Sequence, residues 1–133
     1  MSLNLNIQFG VPASVIYRAL LDEFDMSKTT RSKAHIEPKV GGTFNFYEGR
    51  IQGVYTKLEK DKVIEQTWKM NDWDKFSHVV MTFVDFPEDS ECELQIKQTD
   101  IPSNIKPDFL EHGWMNQIFR PMSMICGYSI MNN

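Results

Sequence analysis

The C-terminal part of the chain carries the pattern that most constrains the fold. Between residues 106 and 131, apolar and small residues recur in steps of one, three and four, which places them on one face of a helix. These residues are Phe109, Leu110, Gly113, Trp114, Gln117, Ile118, Pro121, Met122, Ile125 and Cys126. The spacing predicts one long helix over residues 106–131. Because a proline inside a helix removes a hydrogen bond, we expect a kink near Phe119 or Arg120, or a break into two helices, at Pro121.

Most of the preceding sequence has the length and alternation of β-strands. Residues 3–9 alternate apolar with polar side chains, which is typical of a half-buried strand. Glycine-containing or charged turns separate further strand-length runs. These runs are residues 43–47, 50–58, 63–70, 77–86 and 92–97. Together they predict about six or seven antiparallel strands.

Helical spacing appears once more near the N-terminus. Pro12 suits a first helical turn, and the apolar positions that follow predict a helix over residues 12–23, with Phe24 on its apolar face. Residues 25–33 predict a second short helix or a loop, and residues 34–37 a brief strand. The order of elements predicts a two-layer α+β domain, spanning residues 1–133, in which a curved antiparallel sheet wraps the C-terminal helix.

Composition places the chain among globular proteins. With 133 residues, 41% hydrophobic and 24% charged, it suits one domain that needs neither a disulfide nor a metal. Its apolar runs are too short to span a membrane, and residues 1–10 do not resemble a signal peptide, so we expect a cytoplasmic protein. Cys92 and Cys126 lack metal-ligand spacing, and we expect two small buried side chains.

The net charge of −4 is unevenly distributed along the chain. Residues 1–60 hold eight Lys and Arg against six Asp and Glu, whereas residues 61–133 hold six against twelve. Lys28, Arg31 and Lys33 form the one basic cluster, which is too small to predict nucleic-acid binding. A solvated helix end accounts for such a cluster. It is also a candidate partner contact, because opposite patches on a small domain orient docking.

Patterns typical of catalysis are missing from the sequence. His35, His78 and His112 lie far apart and match no metal motif, and most carboxylates fall in predicted turns. Neither a nucleophile elbow nor a phosphate loop is present. We therefore predict no catalytic residue, no metal and no cofactor.

The aromatic residues suggest two further sites. Trp73 lies between Asp72 and Asp74 in a predicted turn, where an exposed aromatic side chain often anchors a partner, although it also suits a residue folded back onto the sheet. An apolar cavity between helix and sheet is a second candidate. Its candidate lining residues are Phe46, Trp68, Phe83, Ile118 and Met122.

Several short motifs occur in a familiar order. They are Gly41-Gly42-x-Phe44, Gly49-x-x-x-Gly53, Trp68 with Trp73, residues 78–83, Glu93-Leu94, Ile101-Pro102, Gly113-Trp114 with Phe119, and Gly127-Tyr128. In this order the chain resembles the C-terminal domain of the family of activators of heat shock protein 90 ATPase. The paired glycines and the Gly-Trp helix are also shared with the wider helix-grip, START-like superfamily.

The resemblance implies a helix-grip fold and a non-enzymatic cochaperone of the stress response, which binds heat shock protein 90 and stimulates its ATPase. It also implies that the domain helps the chaperone's N-terminal domains associate in the hydrolysis-competent state. Full-length relatives carry a preceding domain, whereas this chain begins at its first predicted strand. Two alternatives remain open: a START-like carrier of a lipid or other apolar ligand, and an enzyme of the same superfamily.

Overall fold

A seven-stranded antiparallel sheet organises the fold in the computed structural model, which describes residues 2–131. The strands are β1 (Leu3–Phe9), β2 (His35–Ile36), β3 (Thr43–Phe46), β4 (Ile51–Glu59), β5 (Val63–Met70), β6 (Ser77–Phe86) and β7 (Glu91–Thr99). Their order in the sheet is β1-β7-β6-β5-β4-β3-β2. The predicted α+β architecture, a curved antiparallel sheet against a C-terminal helix, is therefore confirmed.

Two short helices occupy the segment between β1 and β2. Helix α1 (Ala13–Leu20) ends earlier than the predicted limit at residue 23, and α2 (Glu23–Thr30) follows it directly. Asp22 separates them because its side chain accepts a hydrogen bond from the Asp25 amide at 2.8 Å, which caps α2. The new helix direction leaves Phe24 70% exposed, so its predicted place on a buried face is wrong.

The C-terminal helix does not break at Pro121. It consists of α3 (Pro107–Gly113), a π-helical segment (Trp114–Phe119) and α4 (Arg120–Cys126), and the backbone stays right-handed helical at both junctions. The Arg120 amide donates to the Met115 carbonyl, five residues earlier. The wider turn absorbs the proline, which then lies in the first turn of α4, where its missing N–H costs little.

This π-helical turn changes which side chains face the sheet. Because it adds one residue to the turn, Phe119 is fully buried although it is not among the residues predicted to form the apolar face of the helix. Phe109 and Ile125 are among those predicted residues, yet they are 58% and 43% exposed. Cys126 is exposed as well, contrary to the prediction, whereas Cys92 is buried as expected and burial raises the pKa of its thiol to about 11.

A tyrosine compensates for the proline from the opposite layer. Pro121 has no N–H to donate to the carbonyl four residues earlier, that of Gln117. The Tyr47 hydroxyl donates to this carbonyl at 2.7 Å, and burial raises the Tyr47 pKa further above neutral pH. Tyr47 and Glu48 both adopt positive φ angles (55° and 57°) in the β3–β4 turn, an uncommon conformation that turns the tyrosine toward the helix.

A chain of buried hydrogen bonds joins the C-terminal helix to three strands. Trp114 Nε1 donates to Gln98 Oε1 at 3.1 Å, and Gln98 Nε2 donates to Ser77 Oγ at 2.9 Å. Ser77 Oγ in turn donates to the carbonyl of Trp68 at 2.6 Å. Gln98 is fully buried, so water cannot replace it as the hydrogen-bond partner of Trp114 and Ser77. We call this chain the Trp114–Gln98–Ser77 relay.

Aromatic side chains form the core around the relay. Trp68 contacts both Trp73 and Trp114, with ring centroids 5.4 and 5.6 Å apart. Trp114 stacks on Phe119 at 6.1 Å, and Phe119 contacts Phe9 of β1 at 5.8 Å. The rings therefore connect the β5–β6 turn, through the helix, to the edge strand β1.

Gly53, one of the glycines in the sequence motifs, is required for steric reasons. A Cβ on Gly53 of β4 would lie 1.9 Å from the Thr67 carbonyl and 2.7 Å from the ring of Phe44. Any other residue therefore displaces either the neighbouring strand or this ring, which packs against Tyr55 and Phe46.

The relay predicts a large effect of Gln98. Replacing Gln98 with Leu keeps the side-chain size but leaves the Trp114 N–H without its buried acceptor, so we expect a loss of about 1–3 kcal/mol in the free energy of unfolding. Urea denaturation followed by tryptophan fluorescence measures it. Gln95→Leu on the exposed face of β7 is the control, with an expected change within about 0.5 kcal/mol. Equal effects of the two substitutions would contradict the role of the relay.

The Tyr47–Gln117 contact predicts a coupling with Pro121. We expect Tyr47→Phe to cost about 0.5–1.5 kcal/mol of unfolding free energy in the wild-type chain. In a Pro121→Ala background it should cost less, because the new N–H offers the Gln117 carbonyl a second donor. A double-mutant cycle by urea denaturation checks this. A cost that is the same in both backgrounds would show that the tyrosine does not compensate for the proline.

Candidate partner-binding site

The predicted basic cluster is at the C-terminal end of α2. Lys28 lies in the last turn, Arg31 follows the helix in the left-handed conformation (φ 56°), and Lys33 comes two residues later; all three are exposed. The Lys28 ammonium lies 4.5 Å from the ring centroid of Phe24, one turn earlier, and 3.8 Å from the Asp25 carboxylate. Lys28 thus lies beside an exposed aromatic ring, and all three cations lie within six residues at the C-terminal end of α2.

Helix α4 brings further residues to the same cluster. The C-terminal end of α2 and the start of α4 border a groove of about 390 Å³, which we call the α2–α4 groove. Its lining residues are Thr29, Thr30, Arg31, Tyr47, Asn116, Arg120, Pro121, Met124 and Ile125. Met124 is 82% exposed, which is the largest value among the exposed large hydrophobic residues of the described chain. The groove therefore combines two guanidinium groups with bare apolar side chains.

The cations around the groove lack acidic partners. Within residues 2–131, no carboxylate lies within 4.0 Å of the charged nitrogens of Arg31, Lys33 or Arg120. Arg120 instead donates to the Asn116 side chain, one turn earlier on the helix. In a chain of net charge −4, this end of α2 is a local positive patch.

The floor of the groove is partly polar. Thr29 and Thr30 are both buried, and the Thr30 hydroxyl donates to the Met26 carbonyl at 2.9 Å. The buried Thr29 hydroxyl has no hydrogen-bond partner within the described part of the chain. Opposite, the Tyr47–Gln117 bond holds the wall of the groove in place.

Trp73 does not belong to this site, because the structure shows the second of its two predicted alternatives: the side chain folds back onto the sheet and is not exposed to a partner. It is 6% exposed and packs edge-on against Trp68. A turn reverses the chain after β5, because the Trp73 amide donates to the Met70 carbonyl at 3.0 Å. Lys69 Nζ donates to the Trp73 carbonyl at 3.0 Å, which holds the folded-back side chain on the sheet. The structure does not present this ring to a partner.

The five predicted cavity residues do not enclose a common cavity. Phe46, Trp68 and Ile118 border a space of about 20 Å³ between helix and sheet, roughly enough for one water molecule. Phe83 packs instead against Tyr17, with centroids 5.7 Å apart, and Met122 is fully buried away from this space. The side chains predicted to leave an empty volume therefore fill it.

A second apolar pocket lies between the strands and the start of the C-terminal helix. It measures about 190 Å³. Its lining residues are Ile51, Trp68, Met70, Phe109, Leu110, His112, Gly113, Trp114, Asn116, Gln117 and Ile118. This volume is below the range of about 300–1,000 Å³ typical of pockets for drug-sized ligands.

The three histidines remain separate. His35 lies 3.9 Å from Glu37, and His78 on β6 lies 3.6 Å from Glu65 on β5, while His112 borders the second apolar pocket. The residues that the structure describes contain no cluster of three or more His, Cys, Asp or Glu side chains arranged to hold a metal ion. Nor does any of their helices have the length and apolar character needed to cross a membrane.

Of the nine residues that line the groove, the sequence predicted only Arg31 as a partner contact. The C-terminal helix supplies Arg120, Met124 and Ile125, but its sequence pattern indicates mainly which residues face the sheet. Tyr47 lies 70 positions before Gln117 in the sequence. One signal was available in the sequence: Met124 falls between the residues predicted to face the sheet, so it points away from the sheet. Its proximity to Arg31 depends on tertiary packing alone.

Comparison with known proteins identifies the family. The family described as Activator of Hsp90 ATPase homolog 1-like protein matches residues 10–123. The human activator of 90 kDa heat shock protein ATPase homolog 1 is 26% identical over 128 residues, which cover 95% of this chain and 37% of that protein. The Hsp90 co-chaperone AHA1 of Saccharomyces cerevisiae is 34% identical over 107 residues, or 76% of this chain and 31% of that protein.

The fold comparison agrees with the sequence comparison. An HSP90 activator from Plasmodium falciparum has a crystal structure that superposes with a TM-score of 0.90 at 26% identity, covering 98% of this chain and 99% of that one. The chain spans little more than a third of the length of the curated relatives that it matches. With a match over most of its residues, the chain belongs to the family of activators of Hsp90 ATPase homolog 1-like proteins.

Proposed function

We propose that this chain is a cochaperone that binds heat shock protein 90 and stimulates its ATPase activity. The observation that carries the proposal is the family match over residues 10–123, together with relatives that are named as activators of this ATPase. The high structural similarity to an HSP90 activator of nearly the same length supports it. We further propose that the chain acts in the cytoplasm and has no catalytic activity of its own.

The proposed mechanism is a shift in the chaperone's conformational population. A protein that binds the hydrolysis-competent state more tightly than the other states raises the occupancy of that state, and hence the turnover. The size of the stimulation is limited by the ratio between the protein's affinity for the hydrolysis-competent state and its affinity for the other states. Such a mechanism requires an exposed binding surface on the activator and no reactive group.

A carrier function receives no support from the cavity volumes. The space between helix and sheet is about 20 Å³, and the more open pocket nearby is about 190 Å³. A lipid chain needs a much larger apolar volume to be removed from water. We therefore propose the activator function alone.

The proposal predicts saturable stimulation of the chaperone. Purified heat shock protein 90 is titrated with this chain, and the ATPase rate is measured after subtraction of the rate that remains with a specific inhibitor. We expect the rate to rise and level off.

Albumin at matched concentrations is the control for non-specific effects. A binding titration on the same samples separates the remaining outcomes. If the chain binds without changing the rate, the activator function is wrong and a binding role remains. If it neither binds nor stimulates, the proposed function fails altogether.

A further inference from the structure

We propose that the α2–α4 groove binds an acidic segment of the partner protein, with apolar side chains of that segment inserted against Met124 and Ile125. The inference rests on the proposed function, in which the partner is heat shock protein 90. It goes further by naming the surface, the chemistry of the bound segment and its orientation.

The first argument is the cost of the exposed apolar surface. Met124 is 82% exposed and Ile125 43%, and both line the groove. Covering such side chains yields roughly 25 cal/mol for each Å² removed from water. Methionine is flexible and polarisable, which suits contact with a partner of irregular shape. Met124 and Ile125 thus leave apolar area in contact with water, and burial of that area by a partner favours binding.

The second argument is charge complementarity. Arg31 and Arg120 lie on the two helices that border the groove, and neither has a carboxylate partner among residues 2–131. Lys33 extends the positive patch beyond the end of α2. Guanidinium groups bind carboxylates in a bidentate manner, so two of them across a groove favour an acidic segment lying between them.

The charges around α2 and α4 also set an orientation. Asp22 and Asp25 lie at the N-terminal end of α2; burial first, and then these carboxylates, raise the pKa of the Cys126 thiol at the end of α4, whereas Lys28 lowers it. Lys28 is paired with Asp25, at 3.8 Å, and contributes less to the free charge. The positive end of the surface is therefore at Arg31 and Arg120. The carboxylates of the bound segment should lie there, and its apolar side chains toward Met124 and Ile125.

The shape of the site favours a peptide over a membrane. A groove of about 390 Å³ receives individual side chains, whereas a bilayer contacts the most protruding surface. The groove is also held in shape before binding. Tyr47, which lines the groove, is fixed by the hydrogen bond from its hydroxyl to the Gln117 carbonyl, and the left-handed Arg31 ends α2 at the border of the groove. Such preorganisation lowers the entropic cost of association.

Binding to heat shock protein 90 tests the inference with two groove variants. One is Arg31→Glu with Arg120→Glu, and the other is Met124→Ser with Ile125→Ser; all four residues are exposed, and circular dichroism melts verify folding. We expect each pair to weaken binding at least tenfold. Met124→Ser alone should weaken binding severalfold. Because this side chain is 82% exposed, the single substitution tests the groove in a variant whose core is unchanged. Arg31→Lys with Arg120→Lys should weaken binding less than the charge reversal does, because it keeps the charge but loses the bidentate geometry of the guanidinium groups.

The matched control lies on the other face of the sheet. Lys97→Glu with Val84→Ser reverses an exposed cation and truncates an exposed apolar residue there, and we expect it to bind within twofold of wild type. Raising the salt from 50 to 500 mM should weaken the wild-type complex. For the Arg31→Glu, Arg120→Glu variant the same rise in salt should not weaken binding further, because it screens the repulsion between the two new carboxylates and the acidic segment.

The outcomes separate the two proposals. If the wild-type chain binds heat shock protein 90 and the groove variants bind equally well, the groove is not the contact surface, and the proposed function stands. If the wild-type chain does not bind, the proposed function fails and this inference fails with it. If the wild-type chain binds vesicles of phosphatidylcholine and phosphatidylserine at physiological salt, and the groove variants do not, the surface is a membrane contact and the inference is overturned.

Discussion

The fold depends on one buried side chain that bonds in two directions. Gln98 accepts from the indole of Trp114 on the helix and donates to Ser77 on the neighbouring strand, and Ser77 passes the chain on to the backbone of β5. Apolar packing alone allows a helix to slide or rotate on a sheet at small cost, because dispersion contacts are non-directional. A buried N–H without an acceptor is costly, so the relay specifies one position of the helix.

That position determines what the opposite side of the helix presents to solvent. With Trp114, Ile118, Phe119 and Met122 held against the sheet, the side chains between them point outward beside α2. The core and the proposed binding surface are thus two faces of one element. A substitution that weakens the relay affects the groove without touching any of its residues.

The sequence predicted the strands of this fold more accurately than the boundaries between its helices. Alternation over residues 3–9 corresponds to strand β1, since period two is a direct result of strand geometry, and the strand-length run at 77–86 corresponds to β6. The boundary between α1 and α2 was predicted about three residues too late, because its position depends on the capping side chain of Asp22 within an otherwise helical pattern. For Trp73 the sequence left exposure and folding back onto the sheet open, because the contact with Trp68 that decides between them depends on the tertiary fold.

The candidate site was predictable only in part. The cluster of Lys28, Arg31 and Lys33 is contiguous enough to be read directly from the sequence, and the structure keeps it exposed. Arg120 and Met124 join it through the packing of two helices separated by some 90 residues. Periodicity describes which residues share a face of one helix. It contains no information about which faces of different helices meet.

The π-helical segment makes the length of the C-terminal helix as important as its composition. Within Trp114–Phe119 the chain accommodates one residue more than an α-helical turn holds, and the positions after it are rotated accordingly. Deletion of a single residue here restores an α-helical turn, and because it removes the one residue that the wider turn accommodates, the downstream residues keep nearly the same phase around the helix axis. Met122 then stays on the face toward the sheet, whereas a deletion elsewhere in the helix rotates everything after it by about 100°. A one-residue gap in an alignment with a relative therefore preserves both faces of the helix when it falls within this segment.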